Sequence, residues 1–314
     1  MKVKFTVLKG HLNEEEAYKP DESIILDSAI HERIYLAEGT KRIVVKEGKI
    51  RGNLFIPGGE GPFPAIVDLF GASGSLMDFR AAQFAARGIA ALALAYYDYD
   101  DIPVDIPELD IEYFHDAVKY LLKQDKIKKP HVGVIGLSKG CDLAFSIATF
   151  IPEVKAAICI NGSSLNSLKP LKLKDRTIPI VEVDMSKVKQ IKPGMISCVN
   201  VRIDPAAFTE CQIPIEKADA HFLMISSNDD HMAKTGDEHD RIASILKNHG
   251  KDNYEIVKYE GAGHLLESPY APFAWASFHR VFKVTIVWGG NAYQHTQAAE
   301  DAWKRSIEFI RKHV

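Results

Sequence analysis

Gly136-Leu137-Ser138-Lys139-Gly140 follows the apolar run Val132 to Ile135 and precedes a helix-like stretch beginning at Cys141. A serine on a tight strand-to-helix turn exposes its hydroxyl above the carboxyl edge of a sheet, and the flanking glycines let neighbouring backbone come close. The other use of a serine there is to cap the helix N-terminus. A serine hydroxyl is a poor nucleophile near neutral pH, so it needs a base within reach and a carboxylate that holds the base in the right tautomer. The chain supplies such partners in the order serine, acid, histidine. Ser226-Ser227-Asn228-Asp229-Asp230-His231 follows an apolar run ending at Ile225 and offers Asp230, with Asp229 as the alternative one residue away. Gly261-Ala262-Gly263-His264 follows the next strand-like run, and its small residues leave room for an imidazole to swing over the serine. Ser138, Asp230 and His264 are therefore the expected nucleophile, acid and base. His231 shares the acid's loop and is expected to be exposed or locally bonded. His115, His239 and His279 fall on helical or surface-like stretches, where solvation or capping is expected, and Asp68, inside a buried strand, reads as a structural acid.

Attack on a carbonyl creates an oxyanion that needs backbone donors. One is expected from the N–H of Lys139, the residue after the nucleophile; the other from the loop Phe70-Gly71-Ala72-Ser73-Gly74, with Gly71 and Ala72 as the residues at issue. Such a loop is also simply a strand-to-helix turn, and both readings hold together. There is no His-Glu-x-x-His and no Cys-x-x-Cys. Gly58-Gly59-Glu60-Gly61 and Gly71-Ala72-Ser73-Gly74 lack the phosphate-loop lysine and the dinucleotide spacing. No metal or nucleotide cofactor is expected.

These residues must be held by a frame. Ala65–Phe70, Ala90–Ala95, Val132–Ile135, Ala156–Ile160 and Phe222–Ile225 are short, non-alternating apolar runs, the form of strands buried on both faces. Helical stretches at 76–87, 111–123, 141–150 and 237–248 separate most of them, which argues for a mostly parallel sheet with crossover helices on both faces. A hairpin turning at Glu47-Gly48 precedes the sheet, a strand at 254–259 closes it, and 297–313 reads as a C-terminal helix. Residues 161–219 far exceed the roughly two to six residues of an ordinary connection in such a frame. This excursion is expected to hang over the sheet edge near Ser138, carrying Lys187, Lys189 and Lys192.

The composition bounds the function. The chain has 314 residues, 46% of them hydrophobic and 26% charged, with a formal charge of −3. That fits a folded, water-soluble protein and gives no basic stripe that would track a nucleic-acid backbone. The most apolar run, from Gly88 to Tyr97, is about half the length of a spanning helix, so no membrane span is expected. The start lacks a signal-peptide pattern and the end, Arg311-Lys312-His313-Val314, is not a Ser-Lys-Leu address, so the cytosol is the expected compartment. The four cysteines are read as reduced, and Asn161-Gly162-Ser163 as a loop turn rather than a glycosylation site.

Beyond the general α/β-hydrolase pattern, several motifs occur in one order: Gly61 to Gly71, Ala91 to Tyr97, Gly136 to Gly140, Ile160-Asn-Gly-Ser163, Asp229-Asp-His231, Gly263-His264, Ile286-Val-Trp-Gly-Gly290 and Asp301-Ala-Trp-Lys304. From about Arg42 to the C-terminus the chain resembles the type I acyl-CoA thioesterase and bile acid-CoA:amino acid N-acyltransferase family. The resemblance implies an α/β-hydrolase fold, a triad of Ser138, Asp230 and His264, and hydrolysis of acyl-CoA to free acid and CoA. The acyltransferase branch carries cysteine at the nucleophile position, so Ser138 favours the thioesterase branch. The resemblance also implies an N-terminal β-sandwich, of which residues 1–38 look like the end, with 39–314 the catalytic domain. Carboxylesterase, amidase or amine-acceptor acyltransferase activity is the second reading, and a non-catalytic binding protein on this fold the third. CoA phosphates would need local positive charge, and the excursion lysines and Arg80 are the candidates.

Overall fold

The computed structural model describes residues 2–32, 36–201 and 207–314. Its centre is an eight-stranded sheet. In chain order the strands are β1 (Lys41–Glu47), β2 (Ile50–Ile56), β3 (Ala65–Leu69), β4 (Ala90–Ala95), β5 (Val132–Leu137), β6 (Val154–Ile160), β7 (His221–Ser227) and β8 (Tyr254–Tyr259). In space they run β8-β7-β6-β5-β3-β4-β2-β1. The first two form the antiparallel hairpin and β2 lies antiparallel to β4, while every pair from β4 through β3, β5, β6 and β7 to β8 is parallel. The mostly parallel sheet expected from the apolar runs is thus present, in the α/β-hydrolase form that the resemblance implies, with β3, β4 and β5 buried along their whole length.

Five helices cover the sheet: α1 (Phe79–Ala85), α2 (Ile111–Lys123), α3 (Lys139–Phe150), α4 (Thr235–Asn248) and α5 (Ala292–His313). Successive strand residues point to opposite faces, and the core divides accordingly. Val67 and Leu69 of β3 pack with Phe114, Phe145 and Leu246 of α2, α3 and α4. Ile66 packs on the other face with Phe84 of α1 and with Trp303 and Ile310 of α5. Each large side chain buried this way contributes roughly 1.5–3 kcal/mol. Helix α2 begins where the Asp110 side chain accepts the N–H of Glu112, satisfying one of the donors a helix start leaves open.

The region over the serine departs from the sequence expectation. The excursion does not wall the serine's side of the sheet by itself. Leu171–Lys172 pairs with Thr177–Ile178 and Leu109–Asp110, and Lys189–Lys192 forms a hairpin with Met195–Ser197. The wall comes from a later hairpin, Ala276–His279 with Val284–Val287, whose second strand runs parallel to Met195–Ser197. These strands are four residues long and half-exposed, so they lack the continuous apolar run that marked the central ones. Residues 202–206 of the excursion lie outside the described residues. Ahead of the main sheet, Lys2–Leu8 and Ile25–Glu32 pair antiparallel in a separate two-stranded sheet. The four cysteines are free thiols; Cys141, Cys159 and Cys211 are buried and Cys198 is half-buried.

Candidate active site

Ser138 occupies the one-residue turn between β5 and α3, at φ 57° and ψ −119°. A non-glycine residue with positive φ is uncommon and costs about 1–3 kcal/mol, which the surroundings must enforce. Here they do. A Cβ on Gly136 would fall 1.8 Å from the carbonyl oxygen of Gly140, and one on Gly140 would fall 2.5 Å from that of Leu69, so only glycines let β5, α3 and β3 close around the turn. The Ser138 N–H is tied to the Ile160 carbonyl at 2.9 Å. Its side chain makes no capping bond to the helix, so the capping use of this serine is absent. The residue lines a cavity of about 330 Å³ instead.

His264 lines the same cavity, and both it and Asp230 are almost fully buried. The His264 Nδ1 lies 2.7 Å from Asp230 Oδ2. A carboxylate only accepts, so this contact places the imidazole proton on Nδ1 and leaves Nε2 as the basic nitrogen. Nε2 is buried without a hydrogen-bond partner. The other oxygen of Asp230 accepts the N–H groups of Met232 and Ala233 at 2.7 and 3.2 Å, which fixes the carboxylate on its own turn. Asp229 points elsewhere: Oδ2 accepts the Gly290 N–H at 2.9 Å, and Oδ1 is 3.5 Å from Nε2 of His231. The ring of His264 stacks on Trp288, centroids 5.7 Å apart, and the main-chain N–H of His264 donates to the Trp288 carbonyl at 2.9 Å.

The loop after β3 passes directly behind the serine, because a Cβ on Gly71 would lie 3.2 Å from the Cβ of Ser138. The hydroxyl of Tyr96 lies 2.7 Å from the Phe70 carbonyl oxygen and 3.0 Å from that of Gly71, turning these acceptors toward the tyrosine. Gly74 spends its N–H on the Tyr97 hydroxyl at 2.7 Å. Gly71 lies beside Ser138 and Ala72 follows it in the cavity lining, and Lys139 opens α3, where the first N–H groups of a helix have no partner within it. The Lys139 side chain turns away from the cavity into a buried pair with Asp142, Nζ to Oδ1 3.0 Å. Burial pulls the lysine's pKa down and the aspartate's up.

Several other expectations are corrected here. Arg80 cannot meet a phosphate, because it is buried against Asp68 at 2.5 Å and Glu267 at 3.6 Å; Asp68 is the structural acid it appeared to be. Lys187, Lys189 and Lys192 are exposed and none lines the cavity. His239 and His279 are buried rather than solvated, and His279 belongs to the cavity wall. The wall is otherwise largely apolar, with Phe70, Met77, Met232, Phe278, Phe282 and Trp288 prominent. Among the described residues no group of three or more His, Cys, Asp or Glu side chains could hold a metal ion.

With this geometry in view, the comparisons with known proteins are informative. The family model described as BAAT / acyl-CoA thioester hydrolase C terminal matches residues 109–314. The chain belongs to the BAAT / acyl-CoA thioester hydrolase family. Over 99% of its length it is 38% identical to the mouse (Mus musculus) peroxisomal succinyl-coenzyme A thioesterase and 39% identical to mouse mitochondrial acyl-coenzyme A thioesterase 2, covering 73% and 67% of those proteins. A solved dienelactone hydrolase-like promiscuous phosphotriesterase from metagenomic libraries superposes with a TM-score of 0.54 at 16% identity, over 87% of this chain and 98% of that one. At that identity the likeness concerns the fold alone. Asn161, Arg280 and Met232 lie beside the site without having been given a role in it from the sequence; Asn161 stood there only as part of a loop turn and of the Ile160-Asn-Gly-Ser163 motif.

Proposed function

We propose that the chain hydrolyses acyl-CoA thioesters to a carboxylic acid and CoA, with Ser138 as nucleophile, His264 as base and Asp230 as the acid that orients it. The observation that carries this reading is the 2.7 Å contact between His264 Nδ1 and Asp230 beside Ser138 in an apolar cavity. Ser138 Oγ attacks the thioester carbonyl while Nε2 of His264 takes its proton, and Asp230 stabilises the imidazolium. The oxyanion is received by the Lys139 N–H and by the Gly71–Ala72 stretch. The CoA thiolate leaves with little acid assistance, taking the proton held on His264, and Ser138 is left acylated. Water, deprotonated by the same nitrogen, then attacks the acyl-enzyme, and as the bond to Ser138 Oγ breaks His264 returns that proton to the serine and the acid is released. The long apolar wall suits an acyl chain, which puts the activity in fatty-acid metabolism.

We assign the catalytic domain to residues 39–314 and read residues 1–38 as the end of an N-terminal β domain. No helix among the described residues is long and apolar enough to cross a membrane. The compartment we propose is the cytosol, although the names of the two mouse relatives place them in the peroxisome and the mitochondrion. The decisive experiment follows thiol release from a short-to-long acyl-CoA series alongside p-nitrophenyl esters. Thioesters should be preferred, and Ser138→Ala should lower turnover by about three orders of magnitude or more in a folded protein. Preference for the esters would move the assignment to a carboxylesterase. Full turnover by a folded Ser138→Ala variant would remove the nucleophile.

A further inference from the structure

Arg280 is the one side chain of fixed charge among the described residues that line the cavity; the rest are apolar, hydroxyl, glycine or histidine. A guanidinium beside an apolar surface is costly unless it is paired. Arg280 is paired, with Asp98, yet its side chain remains 54% exposed against 26% for the aspartate. The aspartate is not part of the lining and is rigidly placed. It sits at φ 49°, its carbonyl accepts the Ser75 N–H at 2.9 Å, and its own N–H reaches the Pro103 carbonyl at 3.2 Å. Its carboxylate packs so closely on Gly74 that a Cβ there would lie 2.8 Å from Oδ2. Asp98 thereby fixes Arg280, which belongs to the hairpin 276–287, against the loop that carries Gly71 and Ala72. Arginine has five N–H donors in a planar fork, more than one carboxylate contact consumes.

We infer that Arg280 recognises an anionic oxygen group carried by the thioester substrate, a proposal that rests on the hydrolase reading above. Two parts of such a substrate have this chemistry: the phosphates of CoA and a carboxylate at the far end of a dicarboxylic acyl group. Either would sit at a guanidinium already oriented by Asp98, while the neutral remainder of the acyl chain lies along the Phe278, Phe282 and Trp288 side of the wall. A charge-assisted contact of this kind is worth about tenfold or more in binding.

The test measures kcat and KM of wild type, Arg280→Gln and Arg280→Lys on butyryl-CoA, on butyryl-N-acetylcysteamine, which has no phosphate, and on succinyl-N-acetylcysteamine, which adds only a carboxylate. If the phosphates are the anion, Arg280→Gln lowers the butyryl-CoA to butyryl-N-acetylcysteamine ratio of kcat/KM about tenfold or more, through KM, and flattens its salt dependence. If the acyl carboxylate is the anion, the succinyl to butyryl ratio on the cysteamine carrier falls instead. Arg280→Lys recovers part of whichever ratio falls. Both ratios unchanged, or an equal loss on all three substrates as expected of a purely structural latch between the hairpin and Asp98, overturns the proposal. Wild type that hydrolyses none of the thioesters fails the functional reading instead. Calorimetric binding of CoA and of succinate monoamide to wild type and Arg280→Gln then decides the anion site without turnover, and equal binding by the two proteins overturns it.

Discussion

The side-chain amide of Asn161 donates to the main-chain carbonyl of His264 at 2.8 Å. The same side chain reaches the Gly263 carbonyl at 3.3 Å and the Ser227 hydroxyl at 2.9 Å, and its oxygen accepts the Ser227 N–H at 2.8 Å. Ser227 ends the strand that leads to Asp230, and the carbonyl of Ile160, the residue before Asn161, holds the N–H of Ser138. One fully buried amide thus joins the three chain segments that carry Ser138, Asp230 and His264. Its backbone, at φ 46°, lies in the left-handed region that asparagine tolerates better than most residues.

Replacing Asn161 with alanine should therefore loosen the His264 and Asp230 loops relative to Ser138. A misplacement of about 1 Å in such a constellation costs on the order of a hundredfold in rate. We expect kcat to fall by roughly ten- to a hundredfold with KM little changed. Thermal unfolding run in parallel identifies the folded fraction. A folded Asn161→Ala enzyme with kcat within about twofold of wild type would reduce the amide to a packing role.

The two adjacent aspartates make a sharper comparison. Asp230 touches the imidazole, whereas Asp229 accepts the Gly290 N–H and sits beside His231. Asp230→Asn removes the acceptor that keeps the proton on Nδ1, and in the serine-protease example this change costs about 10⁴ in kcat. Asp229→Asn retains an oxygen for Gly290 and should cost less than about tenfold. Steady-state kinetics on one acyl-CoA decides it, and a reversed ranking would transfer the acid's role to Asp229.

Chain order was enough to bring Ser138, His264 and the Asp229-Asp230 pair forward as candidates, because parallel strands deliver their carboxyl ends to one edge and each loop there follows a buried apolar run. The central strands were legible for the same reason: β3 to β6 are buried on both faces and carry no alternation to confuse with a surface strand. Helix α2 spans the expected 111–123, and the structure shows the Asp110 cap at which it begins. The cavity wall was not legible. Ala276–His279 and Val284–Val287 are short, half-exposed strands that pair with each other, and the second also pairs with Met195–Ser197, about ninety residues earlier in the chain. Arg280 was consequently passed over, while the excursion lysines offered for the CoA phosphates line no part of the cavity. Arg80 misled for a related reason: a cation on the helix after the oxyanion loop is compatible with solvent or with burial, and only the approach of Asp68 and Glu267 decides between them.

That buried trio yields a prediction about pH. Arg80 is bonded closely to Asp68 and stands 3.6 Å from Glu267, whose two carboxyl oxygens have no hydrogen-bond partner. One guanidinium thus faces two carboxyl groups. Burial raises the pKa of Glu267 above its ordinary 4.5, an effect the guanidinium only partly offsets and the neighbouring Asp68 charge reinforces. The folded protein therefore keeps a proton on Glu267 over a range in which the unfolded chain has lost it. By linkage, the stability this group contributes is highest below the ordinary value, falls as pH rises toward the folded value, and levels off above it. Glu267→Gln cannot titrate and keeps the shape of the protonated acid. Its unfolding free energy relative to wild type should accordingly rise between pH 5 and pH 7, checked by urea melts at several pH values in that interval. A difference between the two proteins that stays constant across the interval, or shrinks with rising pH, would mean that Glu267 is ionised in the fold and fully neutralised by Arg80.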